Sequence, residues 1–234
     1  MKVLITGASR GLGKALAEEC LGRGHEVWGV SRSVPSSGTG RLHYLQCDIA
    51  ALPEVSRAAE EMRDAGFIPD VFVLNAAAIR EDFDGGLDLE AVRETFETNL
   101  FGNLYWLTLF LPLLKEKPDG AVFLNISSAA SFRAVVRRKV AYPASKAAMD
   151  MMFEGLRIQC GGGKVRFATV NLGPLAEKRR LPLVSASYGD AAAKIISTLE
   201  SGKTKGQFCY PRSAGWLYRV ARFFPDGAIR WFLR

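Results

Sequence analysis

The chain has 234 residues, 48% of them hydrophobic and 24% charged, with a formal net charge of +7. That length suits one α/β domain with a sizeable buried core. Without a basic stripe interleaved with stacking aromatics, the positive charge excludes a nucleic-acid partner and leaves solvated side chains or attraction for anionic cofactors and substrates. In chain order, KVLIT at 2–6 reads as a first strand, and TGASRGLG at 6–13 as a glycine loop opening a helix with Leu12, Ala15, Leu16 and Cys20 on one face. HEVWGV at 25–30 is a second strand, SVPSSGTG at 33–40 a linker-like loop, and LHYLQC at 42–47 a third strand. Pro53 opens a helix whose face is Val55, Ala58, Ala59 and Met62. DVFVLN at 70–75, AVFLNI at 121–126 and KVRFATVNL at 164–172 complete the strands. Between the first two of these, Leu100 to Leu114 is apolar nearly all round, which marks core or a subunit interface.

Most of these strands lack polar alternation, as strands covered on both faces do. The strand–helix order gives a single-domain Rossmann fold, α/β with a doubly wound parallel β-sheet, its ligand beyond the carboxyl ends of the strands. Its catalytic domain is expected over 1–212, followed by an amphipathic tail at 213–234. Cys20, Cys47, Cys160 and Cys209 are far apart, with no metal spacing, so no metal site is expected and buried free thiols in a reducing compartment are. The apolar run Val3 to Ile5 is too short for a signal segment, and no stretch approaches the roughly 18 apolar residues of a spanning helix, so a soluble cytoplasmic protein is expected.

Two short stretches carry chemistry. A glycine loop between strand and helix lets backbone N–H groups approach a pyrophosphate at the helix N-terminus. In AYPASKAAMD, 141–150, Tyr142 and Lys146 stand one helical turn apart and face the same space. An ammonium beside the phenol is expected to bring the tyrosine pKa down from near 10.

TGASRGLG, Asp48, NAAA at 75–78, Asn99, NISS at 125–128, YPASK at 142–146 and NLGP at 171–174 together resemble, in order, the motifs of the short-chain dehydrogenase/reductase family over residues 1 to about 200. The resemblance implies cofactor contacts from Gly7, Ser9, Arg10, Gly11, Leu12 and Gly13. It implies Asp48 and Ile49 at the adenine, Asn75, Ala76 and Ala77 along the adenosine half, and Gly173 and Leu175 after the sixth strand. It also implies a catalytic set: Tyr142 as proton donor, Ser128 (Ser127 ranking second) on the substrate oxygen, Lys146 on the nicotinamide ribose, and Asn99 holding a water that links Lys146 to solvent. Leu172 stands where the family has proline, and Glu177 where it has a threonine near the phosphates.

The second strand ends without the acid that binds an adenine ribose in NAD-specific sites. Ser31, Arg32 and Arg10 instead suit a 2′-phosphate, so NADP(H) is the expected cofactor. The function expected is hydride transfer between nicotinamide and a carbonyl or secondary alcohol. The alternatives are an NADP-binding sensor or scaffold without turnover, and isomerase or dehydratase chemistry. Arg137-Arg138-Lys139 and Lys178-Arg179-Arg180 are expected to border the substrate pocket, as solvated charge or as the mark of an anionic substrate. The lid from Leu175 to Tyr188 is short, implying an open pocket. A homodimer or homotetramer is expected through the apolar helix and the helix after Tyr142. In the tail, a helical face of Trp216, Val220 and Phe223 packed on the protein's own core or on a partner subunit, closing the substrate pocket, is favoured over an interfacial helix on an anionic membrane.

Overall fold

The computed structural model describes residues 1–34, 40–83, 86–178, 183–202, 204 and 206–232. Arg179, Arg180, Leu233, Arg234 and most of the 33–40 loop lie outside them. The strands are β1 (Lys2–Thr6), β2 (Glu26–Ser31), β3 (Leu42–Gln46), β4 (Val71–Leu74), β5 (Ala121–Ser128), β6 (Val165–Leu172), β7 (Leu175–Ala176), β8 (Ala186–Ser187) and β9 (Gly206–Tyr210). The α-helices are α1 (Gly11–Gly22), α2 (Leu52–Asp64), α3 (Leu89–Phe96), α4 (Gly102–Lys115), α5 (Ala141–Gln159), α6 (Tyr188–Glu200), α7 (Arg212–Ala221) and α8 (Asp226–Phe232). A π-turn at Glu97–Phe101 joins α3 to α4, and a 3₁₀ turn at Ala129–Ser131 follows β5.

Seven strands form one parallel sheet in the order β3-β2-β1-β4-β5-β6-β9, while β7 and β8 form a separate pair. The order reverses beside β1, so the carboxyl ends of β1 and β4 open a crevice, the ligand position of a doubly wound sheet. The runs VLI, VFVL and AVFLNIS are buried on both faces, as their unbroken apolar sequence requires. The edge strand β3 is more open, with His43 and Gln46 exposed and Leu45 buried.

Helices cover both faces. On one, Phe72, Phe123 and Phe167 stack in a row capped by Phe110 and Phe153 in edge-on contact, and α2 adds Val55, Ala58, Ala59 and Met62. On the other, Leu12, Leu16 and Cys20 of α1 and Ile195 and Ile196 of α6 pack on Val3, Ile5, Val73, Leu124 and Val170. Ala15 is only half-buried.

The structure departs from the sequence reading in three places. β9 is a seventh strand, half-exposed along its length, and its GQFCY lacks the β-branched run that marks the others. The apolar segment 100–114 is not a uniform helix: it begins in the π-turn, buries Trp106, Leu107, Phe110 and Leu114, and leaves Phe101 and Leu113 exposed. Of the four free cysteines, Cys20 and Cys47 are fully buried but Cys160 and Cys209 only partly.

Candidate active site

Thr6, the last residue of β1, ties the crevice together. Its Oγ1 accepts from the backbone N–H groups of both Asn75 and Ala76, each at 3.0 Å. Asn75 returns the bond, its amide donating to the Thr6 carbonyl (2.9 Å) and the Gly7 carbonyl (3.3 Å). The loop that follows admits no side chains where it bends. Gly7 has φ +71°, and a Cβ there would lie 2.9 Å from the Ala76 Cα; at Gly13 it would lie 2.0 Å from the Gly7 carbonyl oxygen. Glycine is therefore required at both positions.

The loop floors a cavity of about 500 Å³, and Gly7, Ser9, Arg10, Gly11, Leu12, Gly13, Ser31, Arg32, Asp48, Ile49, Asn75, Ala76 and Ala77 all reach it. The cradle of N–H groups that a Cβ would fill, at the start of α1, fits a dinucleotide pyrophosphate. Asp48 is shaped for one end of it, with Oδ1 accepting from the Ala50 N–H at 3.0 Å and its own N–H donating to Glu54. Arg10 and Arg32 are exposed, and among the described residues neither guanidinium has an ion-pair partner. Ser31 is buried and donates to the Ser33 carbonyl at 2.7 Å.

A second cavity of about 370 Å³ adjoins the first, and Leu12, Asn75, Ala77, Ile79 and Tyr188 line both. Into it reach Ser128 from the end of β5, Tyr142 and Lys146 from the first turns of α5, and Gly173 and Leu175 from the turn after β6. Ser128 caps the 3₁₀ turn by accepting from the Ala130 N–H at 3.2 Å, and its side chain is also hydrogen-bonded to the Tyr142 phenol. Ser127 is buried beside it with an unpartnered hydroxyl.

Burial pushes the Tyr142 pKa above its usual 10, with the Ser128 hydrogen bond pulling the other way and the charge of Asp150 adding to the rise. The expected depression is therefore not seen. Lys146 is not among the groups acting on the phenol; its Nζ donates to the Ile126 carbonyl at 2.8 Å instead. Burial brings Lys146 down from 10.5 to about 8, opposed by Asp150. A protonated phenol and a mostly charged amine at neutral pH follow.

Asn99 stands apart. It is fully buried in the π-turn and lines neither cavity. Its Oδ1 accepts from the Ala78 N–H (2.7 Å), and its Nδ2 donates to the Ala78 carbonyl (3.0 Å) and to Ser145 Oγ (2.9 Å). Ser145 in turn donates to the Tyr142 carbonyl at 2.8 Å, so the Asn99 side chain clamps the strand end after β4 to the first turn of α5. One extra residue in the helical turn aims the side chain this way, a common use of π-turns.

The sequence profile of the short chain dehydrogenase family matches residues 1–181. The chain belongs to the short-chain dehydrogenase family. A 3-ketodihydrosphingosine reductase of Bacteroides thetaiotaomicron is 28% identical over 223 residues, covering 91% of this chain and 80% of the relative. An NADPH-dependent pterin aldehyde reductase of Arabidopsis thaliana is 34% identical over 145 residues, little more than half of either protein (54% and 55%). Among solved structures, a short-chain dehydrogenase from Streptomyces avermitilis superposes with TM-score 0.80 at 21% identity, covering 99% of this chain and 94% of the other.

This short-chain dehydrogenase has site residues that the motif reading passed over. Beneath Ser128 and Tyr142, the carboxylate of Asp150 accepts from Asn125 Nδ2 (2.9 Å), Ser131 Oγ (2.7 Å) and Asn171 Nδ2 (2.7 Å). Asn171 also donates to the Ser128 carbonyl at 3.3 Å, linking the hub to the end of β5. Asp150 lies one turn beyond Lys146, a spacing the sequence displays, but its partners come from β5, the 3₁₀ turn after it and β6, and only folding assembles them. Asp82 is buried; its carboxylate accepts from the Val140 N–H at 2.7 Å, and its own N–H donates to the Arg138 carbonyl at 2.8 Å. The loop leading into Tyr142 is pinned there, with Arg138 at φ +53°. Tyr188 and Tyr218 line the second cavity with no local pattern to announce them.

The basic triplet does not line that cavity. Arg138 and Lys139 reach Glu81 at 3.9 and 3.5 Å, and Arg137 lines a separate groove. Glu177 and Lys178 are exposed and line neither cavity. At Gly173 a Cβ would meet the Val184 carbonyl at 2.3 Å and Ala214 at 2.7 Å, so that glycine admits α7 against the cavity. The short lid is thus supplemented by the tail, whose Tyr218 walls the pocket. Among the described residues no helix is long and apolar enough to cross a membrane, and no acid, histidine or cysteine cluster could hold a metal.

Proposed function

We propose that this protein is an NADP(H)-dependent carbonyl reductase, acting reversibly on a carbonyl or secondary alcohol in the cytoplasm. The observation that carries the reading is the convergence of Ser128, Tyr142 and Lys146 on a cavity continuous with the glycine-loop crevice. A protein that only sensed the nucleotide would need no desolvated phenol there.

The cofactor, when bound, supplies or accepts the hydride. The chain does the rest. Gly7, Gly11 and Gly13 keep the loop low enough for a pyrophosphate, and the N-terminus of α1 favours its charge. Ser128 and Tyr142 each direct a hydroxyl at the substrate oxygen, and Tyr142 passes its proton to that oxygen as it gains charge. The raised phenol pKa keeps that proton in place until a better base appears. Lys146, held by the Ile126 carbonyl, presents its remaining N–H donors to the nicotinamide ribose and its charge to a developing phenolate. Arg10 and Arg32 are placed for a 2′-phosphate; the NADPH dependence named for the pterin aldehyde reductase agrees with that choice.

The outward apolar residues Phe101 and Leu113, with Met151, Met152 and Ile158 on α5, suit pairing of subunits into a dimer or tetramer. A screen of ketones, quinones and aldehydes with NADPH tests the reading. Turnover is expected, and Tyr142→Phe should lower kcat at least a hundredfold while NADPH binding stays within about threefold. A Tyr142→Phe enzyme that keeps more than a few per cent of turnover removes the tyrosine from the mechanism.

A further inference from the structure

We propose that α7, the turn after it and α8 form an interfacial foot that seats this protein on an anionic membrane surface. The inner side of the foot is anchored. Ala214 and Gly215 are buried, and a Cβ on Gly215 would lie 2.4 Å from Cys209, so α7 packs directly on β9. α8 is held by Arg133, which donates to the Phe224 carbonyl (3.2 Å) and to Asp226 (2.5 Å).

The outer side is not packed on the protein's own core. Trp216 is 67% exposed, Phe223 87% and Trp231 77%, with Leu217 and Phe224 about half-exposed. Trp216 lies on α7, and Phe223 and Phe224 follow in the turn after it. The inward contacts are made by the small residues and Tyr218, which leaves the large aromatics outside.

Charge selects the occupant. Residues 212–234 carry five arginines against a single acid, Asp226, and Arg133 already pairs with it. Arg219 lies 4.6 Å over the Phe132 ring, and Arg212, Arg222 and Arg230 are exposed with no ion-pair partner among the described residues. A protein partner flush against the aromatics would strip water from these heads. An anionic bilayer takes the rings at headgroup depth and leaves the guanidiniums among phosphates. Helices of 10 and 7 residues lie flat rather than span.

The placement has a use. Tyr218 on α7 lines the catalytic cavity, and a groove of about 660 Å³ runs between α8 and the 133–137 loop. Val136 lines both spaces, so the foot stands at the rim of the substrate entrance.

Vesicle binding is read without turnover, so the test is independent of the catalytic reading. The full-length protein is sedimented with phosphatidylcholine vesicles and with vesicles of phosphatidylcholine and phosphatidylglycerol in equal parts. Binding is expected only to the latter, falling as salt shortens the screening length. Trp216→Ser/Phe223→Ser/Trp231→Ser and, separately, Arg222→Glu/Arg230→Glu should each lower the partition coefficient at least tenfold with an unchanged melting curve. Brominated lipid in the anionic vesicles provides a readout without a variant: it should quench Trp216 and Trp231 and spare the buried Trp28 and Trp106. The proposal is overturned by a wild-type protein that stays in the supernatant, by unquenched tryptophans, or by an aromatic variant that binds as well as wild type.

Discussion

Asp150→Asn separates a carboxylate that merely braces the fold from one that sets the charge of the catalytic pair. The substitution keeps the shape but exchanges an oxygen that accepts hydrogen bonds for an amide that can only donate. Asn125, Ser131 and Asn171 all donate to the carboxylate, so at least one of these donors will face another donor. Hydrogen bonds to a charged group contribute about 1.5–3 kcal/mol each. Asp150 is half-exposed and an asparagine oxygen retains part of the network, so the net loss should be about 2 kcal/mol. At about 2–4 °C per kcal/mol for a chain of this size, the melting temperature should fall by roughly 4–8 °C. A bracing role predicts that and nothing more. Asp150 also holds up the Lys146 pKa, which burial has brought to about 8. Without the carboxylate that value falls further, and Lys146 loses its charge closer to neutrality. The assay is the pH profile of kcat/KM for NADPH at saturating ketone, which reports the free enzyme. Its alkaline limb should move to lower pH in Asp150→Asn, with kcat at pH 6 largely retained. A limb that stays in place while the melting temperature drops would leave Asp150 a structural residue and sink the electrostatic argument.

Arg32→Asp should shift preference from NADPH toward NADH by about two orders of magnitude, the scale of a charge-assisted phosphate pair lost and a repulsion gained; equal wild-type affinity for the two cofactors, by titration, would dismiss the assignment. Light scattering at micromolar concentration should give a dimer or tetramer, reduced to a monomer by Met151→Arg/Ile158→Arg; a monomeric wild type refutes the pairing. Burial raises the thiols of Cys20 and Cys47 from 9 to about 12, so the folded state keeps protons that the unfolded state loses above pH 9. Their contribution is whole below pH 9 and is lost as pH rises toward 12. Chemical denaturation of Cys20→Ala/Cys47→Ala should therefore show a shallower loss of stability over that window, and an unchanged slope refutes the linkage.

The fold was legible wherever one strand or helix carried its own pattern. Buried parallel strands must be apolar throughout, and most of the strands announce themselves by that rule. β9 escaped because its stability is borrowed: GQFCY is held by pairing with β6 and by α7 packing on Cys209, neither of which is local. The bend at 97–101 was hidden for a related reason. Nothing in the residues ETNLF marks a π-turn; it forms because Asn99 gains three hydrogen bonds to Ala78 and Ser145.

The site divides along the same line. Glycines, the Tyr142–Lys146 pair and the residues after β2 act within a few positions of one another, so spacing exposes them. Asp82, Asp150, Tyr188 and Tyr218 act across the fold, and each is an unremarkable residue in its own segment. The tail shows how far composition reaches. Arginine mixed with tryptophan and phenylalanine set out two outcomes, packing and membrane contact, and the sequence reading favoured packing. The outward turn of the aromatics rests on Gly173, Ala214 and Gly215. Small residues at these positions bring the α7 backbone against the sheet, leaving no depth between helix and core in which a tryptophan could be buried. Tyr218 reaches inward to the catalytic cavity, and Trp216 and Phe223 are therefore turned outward by the same contact that completes the pocket. Substrate enclosure and the exposed aromatic surface are two consequences of one close packing, so enlarging Gly215 to valine should disturb both together, loosening the Tyr218 wall and raising KM for the ketone while also lowering vesicle binding.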